Sequence, residues 1–252
     1  MSDLCLAENP VQSYSPEVFD GLPLFRDSKE ALRTNRARLC PLGGVILHHG
    51  FGRSMAISLL HKHFPMAENE FLLRSFDMQA RTVTMRPVKE GMDRSIPYLW
   101  RAVRESKGRF SYYPLEYVRA EDAPELVGFD LADHQDFLSD MAQVLVEHDL
   151  LDLFGVAHPN ITKLRESEDE LLVETTDSKN RVLTVRPEPG PPPAGDELTE
   201  TLWTFSPVHQ DSEQGEGEED AVLGCTGTHC AGHCHGHCLG HCVGHCHSHH
   251  PV

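Results

Sequence analysis

Residues 68–87, ENEFLLRSFDMQARTVTMRP, and residues 168–187, EDELLVETTDSKNRVLTVRP, decide the fold, because they are two versions of one pattern in a single chain. Without a gap, Glu168, Glu170, Leu172, Asp177, Arg181, Thr184, Arg186 and Pro187 answer Glu68, Glu70, Leu72, Asp77, Arg81, Thr84, Arg86 and Pro87. The match extends outward: Phe154-Gly155 answers Phe51-Gly52, and Leu202-Trp203 answers Leu99-Trp100. Such self-similarity predicts an internal repeat. Within each copy, two apolar, β-branched runs flank a short polar turn, at Asp77–Ala80 in the first, which is the signature of a hairpin.

Around the first copy, Ile57 to Phe64 admits a period of two. Ile57, Leu59, His61 and His63 fall on one face, and Ser58, Leu60, Lys62 and Phe64 on the other. Tyr98–Val103 and Arg109–Val118 continue as strands. Upstream, Asp27 with Glu30 makes a capping-box-like start for a helix through Leu39, interrupted by Pro41, Gly43 and Gly44; Val45–His49 fits either a helical turn or a strand. Leu131 to about Asp152 is the clearest helix, N-capped by Asp130, with Phe137, Met141, Val144, Leu145 and His148 on one stripe and Asp133, Asp136 and Asp140 largely opposite. No crossover helix fits between the first strands, so the expectation is an antiparallel meander. The expected fold is α+β: a duplicated helix-plus-meander unit, about 27–120 and 130–206, in one globular domain over 17–206. Residues 1–16 are read as an unpatterned, mobile lead-in. For the repeated arginines the expectation is structural, with Arg81, Arg181, Arg86 and Arg186 on the solvated side of strands, pairing with Asp77/Asp177 or Glu70/Glu170.

Beyond the domain the composition changes. Residues 207–220 carry Asp211, Glu213, Glu216, Glu218, Glu219 and Asp220 with no apolar period, a disordered acidic tether. Residues 221–252 follow as a tail dense in metal ligands. It holds Cys225, Cys230, Cys234, Cys238, Cys242 and Cys246 and nine histidines, His229, His233, His235, His237, His241, His245, His247, His249 and His250, largely as a repeated His-Cys-x-Gly unit without Asp, Glu, Lys or Arg after Gly224. Thiolates and neutral imidazoles suit Zn(II) and Cu(I), and the excess of imidazole extends the range to Ni(II) or Cu(II). At about four ligands per tetrahedral ion, the segment has room for on the order of three. Disulfide formation, a drifting low-complexity repeat and a recruitment tail are the competing readings.

A formal charge of −17 over 252 residues argues against nucleic acid as a partner, since phosphate contacts need clustered Lys and Arg. No apolar run approaches the ~20 residues that cross a bilayer, and MSDLCLAENP has neither the basic start nor the apolar core of a signal peptide. With only Cys5 and Cys40 outside the tail, the expectation is a soluble, reduced, cytoplasmic protein, Cys40 being a buried or unreactive thiol.

A second candidate site lies in the domain. His61 and His63 with Glu68 form H-x-H-x(4)-E, which resembles half of a cupin metal motif, and would make a metal-dependent catalytic site if all three converged. The upstream glycine spacing does not fit, the later histidine is missing unless His158 supplies it, and Ile161 and Lys163 take the two His positions in the second copy. The alternative is one core histidine and one exposed.

The string FGRSMAISLLHKHFPMAENEFLL (51–73), with the later LW and YYPLEYV, resembles a fungal protein family of uncharacterised activity built on an FG…LLHxHF core. The resemblance spans about a quarter of the chain and implies the domain but no chemistry. The tail departs from it and is similar to a metallothionein in ligand density. Three functions remain in view: metal capture by the tail, a metal-dependent enzyme at His61, His63 and Glu68, and a scaffold whose duplicated domain grips a protein partner.

Overall fold

The two repeated stretches form two hairpins, β3 (Phe71–Asp77) with β4 (Thr82–Val88) and β8 (Glu170–Asp177) with β9 (Val182–Pro189). Both turn in the same way. The Asp77 carboxylate accepts from the Ala80 amide at 2.9 Å and that of Asp177 from the Asn180 amide at 3.0 Å, after which Arg81 (φ 49°) and Arg181 (φ 54°) enter the left-handed region. Left-handed backbone costs a residue with a Cβ about 1–2 kcal/mol. Here each arginine gains a partner from the other hairpin: Arg81 pairs with Glu170, and Arg181 with Glu70. The arginines thus find the expected glutamates, but crosswise rather than within one hairpin.

The crossing follows from how the hairpins meet. β4 and β9 run antiparallel with Val83 opposite Val185, Thr84 opposite Thr184 and Met85 opposite Leu183. A second seam joins β2 (Ala56–Leu59) to β7 (Phe154–Ala157), Ile57 lying opposite Val156. β5 (Ser95–Arg104) pairs through Leu99 and Trp100 with β7, and β11 (Leu202–Phe205) pairs through Leu202 and Trp203 with β2. With β6 (Arg109–Arg119) between β3 and β5, the strands run β8-β9-β4-β3-β6-β5-β7-β2-β11 in one sheet. The computed structural model describes residues 5–167, 169–190 and 198–206, together with the backbone of 228–230 and 233–235.

Several expectations are corrected. The sheet is mixed rather than an antiparallel meander, since β3 and β6 are parallel, Leu72 pairing with Glu116 and Leu73 with Tyr117. The long β5–β6 hairpin folds back so that its second strand, not its first, meets β3. The lead-in is partly ordered: β1 (Cys5–Val11) pairs in parallel with β6, with Pro10 inside the register shift between Leu6 and Val11 where a missing N–H costs nothing. Alternation is absent there because a strand added at an edge is held by backbone bonds rather than by one buried face.

The helices are α1 (Pro16–Asp20), α2 (Phe25–Asn35), α3 (Leu39–His48) and α4 (Gln135–Glu147). α2 starts two residues before Asp27, which lies in its first turn rather than capping it, and stops at Asn35 before a 3₁₀ turn. α3 runs through Pro41, Gly43 and Gly44. Pro41 stands in the first turn, where its missing N–H had no intrahelical partner to lose. Gly43 lets the Phe205 ring approach to where a Cβ would lie 2.2 Å from its nearest carbon. α4 is shorter than expected: Asp130 caps only a 3₁₀ turn over Leu131–Asp133, with the Ala132 amide at 2.9 Å, and Asp149 (φ 57°) ends the segment.

Apolar side chains cover both faces of the sheet. On one, Leu42 and Ile46 of α3 and Phe137, Met141 and Leu145 of α4 pack on Ile57, Leu59, Trp100, Trp203 and Phe205. On the other, Leu60, Phe64, Leu72, Met85, Leu99, Leu172 and Val185 form a second core. The period of two therefore holds over residues 57–60. The architecture is α+β, with both helices and a curled mixed sheet.

Neighbouring glycines of α3 give a paired prediction. Gly43→Ala drives a methyl into Phe205 and is expected to cost about 1–3 kcal/mol. Gly44→Ala, with nothing within 4 Å of the new Cβ, is expected to gain up to about 1 kcal/mol from helix propensity. Urea denaturation of the two variants checks both signs.

Candidate functional site

β2 ends at Leu59, and the chain continues extended but bonds irregularly, Leu60 to Leu153 and Lys62 to Pro23. Freed from the pleat, His61 and His63 both turn inward, 4% and 1% exposed, with ring centroids 4.8 Å apart. His61 donates through Nδ1 to the Leu59 carbonyl at 3.0 Å and lies against Phe25. Burial pushes its pKa down to about 4, the hydrogen bond to Leu59 opposing the shift, so the ring is neutral at pH 7. Glu68 is exposed in the turn before β3. The cupin-like trio is therefore not assembled, and the expectation that one His is exposed is also corrected. His158 does not complete it: it is buried elsewhere, donating through Nδ1 to the Ser54 carbonyl at 2.8 Å, and burial lowers its pKa.

The structure instead brings His63 to a set of buried charges that the pattern reading passed over. His63 Nε2 stands 3.7 Å from the carboxylate of Glu174, which is wholly buried. Arg74, 3% exposed, donates through Nε to Glu116 at 2.8 Å and lies 4.0 Å over the Tyr98 ring. Burial opposes the Arg74 charge, but Glu116, Tyr98 and Glu174 outweigh it and raise the pKa. Burial pushes the Tyr98 hydroxyl up to about 12. Arg74 and Glu174 occupy corresponding positions of the two repeated stretches, so a charge inversion within an otherwise shared apolar strand was the available signal.

The cluster is enclosed, which suits a structural charge network better than a substrate site. Arg74→Met leaves Glu116 buried without its guanidinium and is expected to cost about 3–5 kcal/mol, whereas Arg74→Met with Glu116→Leu recovers most of that loss. Chemical denaturation of the single and double variants measures the difference. For His61, protonation favours the unfolded chain once the pH falls below its unfolded value of about 6.5. Stability is therefore present above pH 6.5 and lost towards pH 4, on the order of 2 kcal/mol between pH 7 and pH 5. Unfolding of chelator-treated protein at the two pH values should show a smaller loss in His61→Asn, which keeps a donor but does not titrate.

At the surface, α3 ends against α4. There His48, His49 and Asp140 each offer a ligand atom, all within 4.8 Å of one another, the one such set of three among the described residues. His49 Nε2 is 2.8 Å from Asp140 Oδ2. Asp140 had been placed only on the polar side of α4, and His48-His49 is a two-residue signal that becomes meaningful once the helices pack.

Of the fifteen cysteines and histidines of the tail, only the backbone of His229, Cys230, His233, Cys234 and His235 is described. β12 (Thr228–Cys230) pairs with β11, and β13 (His233–His235) pairs with β8 at Val173 and Glu174 and with β10 (Leu198–Thr199). Cys225, His237, Cys238, His241, Cys242, His245, Cys246, His247, His249 and His250 lie outside the described residues, as does the acidic tether. Cys5 is exposed and free. Among the described residues no helix is long and apolar enough to cross a membrane. Comparison with known protein families, with curated proteins and with solved structures finds no match to this chain.

Proposed function

We propose that this protein captures or buffers Zn(II) or Cu(I), and secondarily Ni(II), through its Cys/His tail, with the α+β domain as its anchor. The observation that carries the reading is the tail's chemistry: six thiols and nine imidazoles within residues 225–250, uninterrupted by any charged side chain. Glycine at every fourth position from Gly232 to Gly244 disfavours helix and lets ligands of neighbouring units converge on one ion. Few apolar residues are available to order the segment unaided, so the ion supplies the folding energy. The acidic tether adds a field that attracts cations over about 8–10 Å. The pairing of β12 and β13 with the sheet supports a tail lying beside the domain.

In this reading the domain arose by duplication of a helix-plus-sheet unit. The gapless repeat supports that origin, as do the two seams, where Thr84 faces Thr184 and Ile57 faces Val156. The protein works in the cytoplasm, where thiols are kept available to metal, and a protein partner for the domain completes the proposal.

Anaerobically purified full-length protein is expected to carry on the order of three ions, with the thiols reduced and occupancy falling steeply as pH drops and ligands protonate. A chain ending at Asp220 is expected to lose them, and His61→Ala/His63→Ala to keep them. Elemental analysis with thiol titration reads all three proteins. Empty full-length protein, or tail thiols recovered as cystine, overturns the proposal, and loss of metal in the double histidine variant alone moves the site into the domain.

A further inference from the structure

We propose that His48, His49 and Asp140 form a second metal site, for a borderline divalent transition ion of the Zn(II) type, on the outer surface where α3 meets α4. The proposal is independent of the tail. His48 is the last residue of α3 and His49 its C-cap. Their imidazole rings stand edge to face at 5.0 Å, and the His49 ring is also set against Phe137 of α4 at 5.7 Å, which limits its rotation. Asp140, one turn of α4 beyond Phe137, places Oδ2 2.8 Å from His49 Nε2.

That separation is close to what two ligands on one ion require. With metal–nitrogen and metal–oxygen bonds of about 2.0–2.2 Å, neighbouring ligand atoms are about 3–3.5 Å apart. His49 and Asp140 are already near that spacing, and His48, exposed and with its nitrogen inside the same 4.8 Å set, needs only a side-chain adjustment to become the third ligand. The remaining coordination positions face solvent, as in an open rather than a closed site.

Two features of the surroundings favour a cation. The C-terminal end of α3 carries the negative end of the helix dipole. Beside the ligands lies an open groove of about 350 Å³ that both His48 and Asp140 line, with Val45 and Val144 as apolar walls and Gln143 as a further polar group. The ligand set also sorts by softness. Two imidazoles and a carboxylate suit Zn(II), Co(II) or Ni(II), whereas the thiolate-rich tail has the stronger claim on Cu(I). An ordinary His–Asp ion pair needs only His49 and Asp140; His48 is the ligand that separates the two readings.

The test uses full-length protein and Zn(II) alone. Diethyl pyrocarbonate labelling is followed peptide by peptide by mass spectrometry, with and without buffered free Zn(II). At free Zn(II) ten times the dissociation constant, labelling of His48 and His49 is expected to fall about tenfold by mass action. Asp140→Ala should abolish the protection. His48→Ala, which keeps the ion pair, should abolish it at His49. Unchanged labelling at both histidines across the titration overturns the proposal, as does protection that survives Asp140→Ala. The tail histidines appear in other peptides of the same digest, so failure of this site and failure of tail binding are read separately.

Discussion

The fold depends on the backbone seams at which strands from the first half of the chain meet strands from the second: β4 against β9, and β7 and β11 interleaved with β5 and β2. A hairpin such as β3–β4 is marginal in water by itself, because one face stays wet and its edges stay unpaired. Joining two hairpins edge to edge removes two edges at once and creates one sheet wide enough to curl. The crossed pairs Arg81–Glu170 and Arg181–Glu70 sit across this join. Each guanidinium offsets the left-handed backbone that carries it, so a strained turn in one half is held by a carboxylate in the other.

Curling sets the second constraint. Once α3 and α4 cover one face and Leu72, Met85, Leu172 and Val185 close the other, side chains of both strand phases are buried, and any charge in those strands must be satisfied internally. Arg74 meets it with Glu116 and the Tyr98 ring, and Glu174 lies beside His63. Buried ion pairs seldom add stability over apolar groups of equal volume. Here they fix which strands are neighbours: a slip of one residue in β3 would carry Arg74 to the opposite face.

Much of this order was legible in the residues. The gapless pattern from Glu68 to Pro87 located both hairpins and their turns, and the period of two over Ile57–Leu60 placed side chains on the correct faces, because local alternation and turn chemistry act over a few residues. What was not legible depended on long-range packing. The parallel β3–β6 pairing is decided by how β5 and β6 fold back, and β1 by an open edge 100 residues away, neither of which leaves a local period. Helix α3 survives Pro41 and two glycines because of first-turn geometry and the Phe205 ring, a contact between residues far apart in sequence. For the site, H-x-H-x(4)-E suggested a convergence that fails at Glu68, exposed in the turn before β3, while His48, His49 and Asp140 converge only because α3 stops against α4. The density of cysteine and histidine in the tail is a matter of composition and needs no fold to be seen.

The wedge of Phe205 over Gly43 has a mechanical meaning. Phe205 is the final residue of β11, the last strand before the acidic segment in the sequence. Its ring is locked onto α3 at the point of nearest approach, and the adjoining strand is hydrogen-bonded to β2. A load arriving at the end of β11 is therefore shared between α3 and β2, and it meets the helix five residues before His48.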